Sequence, residues 1–239
     1  MGRKIPPHRF DDLVRGATEV FIAHGYRHAQ MADVAEAVGV SKATLYLYVE
    51  SKEALFALCA LHADRRDPVP KPDPLPVPTP PAGELAARMK QRLDRAGALP
   101  LLMDALGRPR AECIRAEFGA IMREFYTRME AHCHGIKLID RCWDHPELGP
   151  LWQERGRRSP RNHLAEYMQL RMRAGQLRAH PVPRLLARIA IETIATWALH
   201  IKWDPSPQAF DPVAAKQAVI DYILRGLLSE SEICKEVAP

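Results

Sequence analysis

No apolar run in this chain approaches the roughly 18 residues that a membrane-spanning helix needs. Its opening, "MGRKIPPHRFDD", lacks the apolar core of a secretory signal, and Pro6 stands where a myristoylation site carries Ser or Thr. The chain is therefore expected in the cytoplasm, with no membrane among its partners. Five cysteines without paired spacing do not make a disulfide framework and fit reduced thiols. Strand-like alternation and fixed-period repeats are both absent, which argues against a sheet and against a solenoid. There is no Ser-His-Asp spacing, no phosphate-binding glycine loop and no supported pair of catalytic carboxylates, so neither catalysis nor a cofactor is expected.

What remains is ordinary in amount and informative in order. The 239 residues are 47% hydrophobic and 26% charged, enough for one large core or two smaller ones. A net charge of +5 suggests nucleic acid, but its distribution does not say where. Residues 1–66 hold nine Lys and Arg against eight Asp and Glu, whereas residues 88–178 hold eighteen against eleven. That excess leaves room for a ligand with an acidic group, but a solvated basic face is the commoner explanation.

In "RFDDLVRGATEVFIAH", Phe10, Leu13, Val14, Ala17, Val20 and Phe21 recur as one face of a helix, which Gly25 is placed to end. A second short helix reads "MADVAEAVG", a third runs from about Ser41 to Tyr48, and a fourth begins at Lys52 with Ser51 as its N-cap. Then "DPVPKPDPLPVPTPPAG", with eight prolines, predicts an extended spacer, because each proline removes a helix hydrogen bond. The rest is helical in period. The expected class is all-α, with a helix-turn-helix domain over residues 1–66, a linker over 67–83 and a helical ligand-binding and dimerisation domain over 84–239.

The stretch "AEAVGVSKATLYLYV" carries the chemistry. Gly39 permits a tight turn, Val40 fills the corner, small Ala35 lets two helices cross closely, and Leu45 anchors the third helix. Ser41, Lys42, Ala43 and Thr44 then face outward with the hydroxyls, charge and methyl that read base edges in a major groove. Tyr46 and Tyr48 offer hydroxyls to phosphates, and Lys52 adds charge at a helix N-terminus. Taken singly, Tyr46, Leu47 and Tyr48 are more readily the underside of a small domain; beside the Gly turn and the flanking lysines the DNA-facing reading prevails.

Residues 10 to about 56 resemble the N-terminal domain of the TetR/AcrR family of bacterial transcriptional regulators, on the strength of "AEAVGVSKATLYLYVESKEALF". The resemblance covers about a fifth of the chain. It implies that Ser41, Lys42, Ala43 and Thr44 face bases and that Tyr46, Tyr48 and Lys52 face phosphates. Gln30 stands where the family carries a Ser or Thr cap; its amide can reach a phosphate, though Gln is a poor cap. Val49 replaces the usual aromatic. The family also implies a homodimer on a palindromic operator of double-stranded DNA, with recognition helices about 34 Å apart, and a small-molecule effector that releases it.

The residues of the rear domain bear on the same expectation. The helices from Pro183 to Trp203 and from Val213 to Leu228 are apolar around most of their girth, as two sides of a dimer interface require; central core helices are the alternative. Phe118, Met122, Phe125, Met129, Trp143, Trp152, Tyr167 and Met168 are the candidates for lining an effector pocket. In "HCHGIKLIDRCWDH", His132, His134, Cys142 and His145 could hold a soft metal, but only Cys142 and His145 have a chelating interval, so no metal site is assigned. The expected function is a ligand-responsive repressor. A metal- or redox-responsive regulator of the same fold and a helical enzyme are the alternatives.

Overall fold

The computed structural model describes residues 9–65, 67–70, 72–96, 98–206 and 208–230. Among them every regular element is helical, as expected, and only two isolated bridges, Val49 with Val77 and Leu177 with Leu228, pair extended backbone. No described helix is long and apolar enough to cross a membrane.

The front of the chain forms α1 (Arg9–His28), α2 (Met31–Val38), α3 (Lys42–Leu45), α4 (Lys52–His62) and α5 (Glu84–Ala96). Next come α6 (Pro100–Leu106), α7 (Ile114–Ala131), α8 (Cys133–Arg141) and α9 (Leu148–Leu151). A π-helical stretch at Trp152–Arg158 leads into α10 (Ser159–Arg173), followed by α11 (Pro183–Ala198) and α12 (Pro212–Leu227). These divide into two compact units. One holds the described residues up to Leu93 together with His132–Gln153, and the other holds the described residues of Asp94–Ala131 and those from Glu154 onward.

In the first unit, α1 buries the apolar face its spacing predicts, Phe10, Leu13, Val14, Ala17, Val20 and Phe21, and breaks at Gly25 (φ 75°). Seven consecutive residues of α4, Ala54–Ala60, are buried, so this helix is the hub of the unit. On it Phe56 meets Phe21 edge to face at 5.1 Å and stacks on the His145 ring at 4.7 Å. Nδ1 of His145 accepts the backbone N–H of Glu147 and of Leu148, both at 3.2 Å.

Helix α8 is gripped by the same body. Arg141 donates to the carbonyls of Ile22 and Ala23 at 2.9 and 3.1 Å. Asp64, just past α4, accepts the N–H of Gly135 at 2.9 Å, satisfying one of the free donors in the first turn of α8. A Cβ on Gly135 would stand 2.3 Å from the Asp64 carboxylate, so only glycine allows this approach.

The proline-rich segment is extended, and it is also tied down. Val77 donates to the Tyr48 carbonyl at 2.8 Å and accepts from Glu50 at 3.0 Å, while the N–H of Thr79 reaches the Glu50 carboxylate at 2.8 Å. Further back, Asp11 accepts the N–H of Val69 at 2.6 Å.

His62, at the end of α4, lines a cleft of about 620 Å³ with Asp11, Arg15, Thr18, Glu19 and Arg65. Among the described residues its buried Nδ1 has no hydrogen-bond partner. Burial, reinforced by Arg65, Arg92 and Arg88, pushes its pKa down from 6.5 to about 4. Burial lowers that of His145 as well. A base with a depressed folded pKa leaves the unfolded chain holding more protons, so stability rises with pH across the gap. Urea midpoints are therefore expected to fall as pH drops from 6.5 to about 4, and His62→Gln to flatten part of that slope.

The second unit encloses one apolar core drawn from α6, α7, α10, α11 and α12, with Phe118, Ile121, Met122, Tyr167, Met168 and Ile194 at its centre. A buried polar knot crosses it. Arg171, fully buried, donates Nε to Glu117 at 2.9 Å and its two terminal nitrogens to the carbonyls of Arg108 and Ala105, each at 2.8 Å. The Tyr167 hydroxyl donates to the same Glu117 oxygen at 3.0 Å. Burial, with Glu117 adjacent, raises the pKa of Tyr167, so the hydroxyl keeps its proton.

Candidate nucleic-acid interface

The turn between α2 and α3 is built from purely local chemistry. Gly39 takes the left-handed conformation (φ 70°, ψ 38°), and its N–H reaches the Glu36 carbonyl at 3.0 Å while that of Val40 reaches Ala35 at 2.9 Å. Those two bonds close the end of α2 at a position where a side chain would be strained. At the other end of α2, Gln30 is the N-cap residue. The weak cap expected there is compensated by Asp33, whose carboxylate accepts the Gln30 N–H at 3.0 Å.

Ser41 caps α3, its hydroxyl accepting the N–H of Thr44 at 3.0 Å and lying 2.8 Å from the Thr44 hydroxyl. The α-helical part of α3 is a single turn, shorter than the expected span to Tyr48. Tighter bonds continue the winding, Leu47 N–H to Thr44 at 3.1 Å and Tyr48 N–H to Leu45 at 3.0 Å. The winding stops because Tyr48, Val49 and Glu50 turn to pair with Val77.

This geometry sorts the side chains. Leu45, Tyr48 and Val49 are buried, at the i, i+3, i+4 positions of an inward face. Ser41, Lys42 and Ala43 are exposed, Thr44 is half-buried, and Tyr46 and Leu47 are 40% and 68% exposed. Tyr48, expected to face outward beside Tyr46, is instead turned inward, edge-on to Phe10 at 5.6 Å, because it falls one turn beyond Leu45 on the buried face. Gln30 is exposed beside α2. The surface thus brings Lys42, Ala43, Tyr46 and Leu47 together on one side of the recognition segment. The outward place of Leu47 is legible from its i+4 spacing to Ala43.

Lys52 has a role that the sequence did not reveal. Half-buried, it donates Nζ to the carbonyl of Tyr26 at 3.0 Å and to those of Arg27 and Ala29 at 3.4 Å, and stands 4.8 Å from the Tyr26 ring centre. It therefore supplies a positive charge to the carbonyl end of α1, where the helix dipole favours one.

The pocket candidates fall in two places. Phe118, Met122, Phe125, Tyr167 and Met168 are buried in the core of the second unit, and Met129 packs against it. Trp143 is exposed, and Trp152 is buried with its indole N–H on Asp140 at 2.5 Å; both belong to the first unit. The His and Cys candidates have packing roles of their own. Cys142 places its thiol 3.7 Å from the Phe21 carbonyl, His145 caps backbone, and His134 lies 3.4 Å from the Cys133 sulfur. His132 pairs with Asp64 at 3.7 Å. Among the described residues no three side chains of metal-ligating type converge.

Residues 13–59 match the family model of the bacterial regulatory proteins of the tetR family. No curated protein matches the chain. Solved structures do. The ketosteroid transcriptional regulator KstR2 of Mycobacterium tuberculosis is 14% identical over 95% of this chain and 98% of its own, with a TM-score of 0.56. AibR, solved in complex with isovaleryl coenzyme A and operator DNA, is 14% identical over 90% and 97%, with a TM-score of 0.50. A TetR-like transcriptional regulator from Rhodococcus sp. RHA1 is 18% identical over 94% and 98%, with a TM-score of 0.49.

Proposed function

We propose that this chain, whose helix-turn-helix domain belongs to the tetR family, is a homodimeric repressor that a small molecule releases from a palindromic operator. The observation that carries the reading is the outward row of Lys42, Ala43 and Tyr46 on a helix that Gly39 and Ser41 set in place, within the segment that matches the family. Lys42 and Thr44 read base edges. Gln30 and Tyr46 fix register on phosphates, and Ser41 and Ala43 hold the helix close to the groove.

Dimerisation is supported by α11 and α12, which pack on the core and still leave Leu185, Ile189, Val213 and Tyr222 exposed. A pair of such helices from each of two chains buries these residues and spaces two recognition helices for two half-sites. The effector enters the second unit among Phe118, Met122, Phe125, Met129, Tyr167 and Met168. Because those residues are closely packed, a ligand lodged there favours an expanded form and shifts the population away from the DNA-binding one. AibR, solved with both an acyl coenzyme A and operator DNA, has this fold. A redox role is not favoured at Cys59 or Cys142, since burial pushes both thiols up to about 12, far from the reactive thiolate.

Selection of bound fragments from random DNA tests the reading, and an inverted repeat is the expected product. Changes at Lys42 or Thr44 are expected to alter the preferred bases by about 1–3 kcal/mol of discrimination. Tyr46→Phe is expected to weaken every sequence alike.

Lys52→Ala has two expected effects, because its ammonium both caps α1 and adds to the positive field of the head. Stability falls by about 1–2 kcal/mol, and the salt slope of operator binding lessens by about one unit. A salt slope identical to that of the parent assigns the ammonium wholly to α1.

A further inference from the structure

We infer that Leu47 is a base-reading residue whose side chain receives the C5-methyl group of a thymine in the major groove. The inference rests on the regulator reading above and assigns a specificity determinant to it. Leu47 is 68% exposed, more than any other large apolar side chain described in its unit. A single exposed leucine is ordinary on a protein surface; its setting here is not. Along the recognition segment the inward places are filled by Leu45, Tyr48 and Val49. The outward places are Lys42, Ala43, Tyr46 and Leu47, so Leu47 stands one turn beyond Ala43 on the same side. Backbone bonds from Tyr46 to Lys42 at 3.3 Å and from Leu47 to Thr44 at 3.1 Å hold that register.

The polar groups beside it are partly engaged. The Ser41 hydroxyl accepts the Thr44 N–H and bonds the Thr44 hydroxyl at 2.8 Å, which reduces what either can offer a base. The outermost groups of the row are then one ammonium, one phenol, one methyl and one isobutyl group. An apolar pair, Ala43 and Leu47, can discriminate only by an apolar feature of the groove. The thymine methyl is the one such feature that the four bases present.

The test uses the full-length protein and the DNA that it selects from a random pool. Each thymine of the selected half-site is replaced in turn by uracil, which removes the methyl and leaves base pairing unchanged. At one thymine per half-site, uracil is expected to weaken binding about fourfold, and about fifteenfold when both half-sites carry it. In Leu47→Ala, whose helical content should match the parent because the side chain points outward, thymine and uracil at that position are expected to bind alike. Equal binding of thymine and uracil at every position by the parent overturns the inference and leaves the regulator reading standing. A thymine preference that survives undiminished in Leu47→Ala also overturns it and assigns the methyl contact elsewhere. A pool from which no sequence is enriched overturns the regulator reading itself, and this inference with it.

Discussion

Arg171→Leu is expected to lower the unfolding free energy by about 3–5 kcal/mol, the largest effect on stability of any single change described for this chain. The reason lies in what the guanidinium holds. It is fully buried, satisfies Glu117 and the carbonyls of Ala105 and Arg108, and lies 4.9 Å from the Tyr167 ring centre. Leucine fills part of the volume but leaves a carboxylate, shielded from water on most sides, without its main partner. Among the described residues Glu117 then keeps Arg108, at 3.1 Å, and the Tyr167 hydroxyl.

Removing the charge from both sides should recover part of the loss, because an uncompensated buried ion is worse than no ion. Denaturant midpoints for Arg171→Leu, Glu117→Gln and the double variant check this. The double variant is expected to be less destabilised than the two single changes added together. Simple additivity would mean that the pair is not coupled in the folded protein.

If the proposed dimer forms through α11 and α12, Ile189→Glu is expected to separate it and lower operator affinity by about two to four orders of magnitude. Ile189 is 50% exposed on α11, so glutamate there does not enter the core, and the helical content of the variant should be that of the parent. In an interface between two copies of α11 and α12, the new carboxylate would be buried without a partner. Tyr222→Glu, at a site 72% exposed on α12, should act in the same way. Sedimentation of each variant reads the oligomeric state independently of DNA. A variant that stays dimeric places the interface away from these two helices.

The residues differ in how much they disclose on their own. The all-α class, the four front helices and the turn at Gly39 were legible because each depends on groups within a helical turn of one another. Gly39 needs only the carbonyls of Ala35 and Glu36 nearby, and Ser51 needs only the N–H of Ala54. The inward face of α1 follows from spacing alone, since a one-sided apolar row can be buried in only one way.

The extent of α3 was misjudged for the opposite reason. Its α-helical winding stops at Leu45 as the chain turns towards Val77, a residue 28 positions beyond Val49 and invisible to local period. Arg171 stands in a helix where a charged residue reads as outward, and only the convergence of α6, α7 and α10 gives its guanidinium four acceptor contacts.

Long-range partnership also governs the remaining surprises. Lys52 reads as a surface cation, yet the break in α1 at Gly25 brings the carbonyls of Tyr26, Arg27 and Ala29 to its ammonium. Trp143 and Trp152 have the same soft surfaces as Phe118 and Met122, but the chain carries them into the first unit, Trp152 buried and Trp143 exposed, and size alone does not say where a side chain will end up. Sequence by itself thus determined the front helices, the turn and the outward places of Ser41, Lys42, Ala43 and Tyr46, whose hydrogen bonds close over a few residues, but not the inward place of Tyr48. Tertiary structure alone decided the caps supplied by Lys52 and Asp64, the buried Arg171 knot and the membership of α8, because each joins groups that meet only when distant parts of the chain exclude water together.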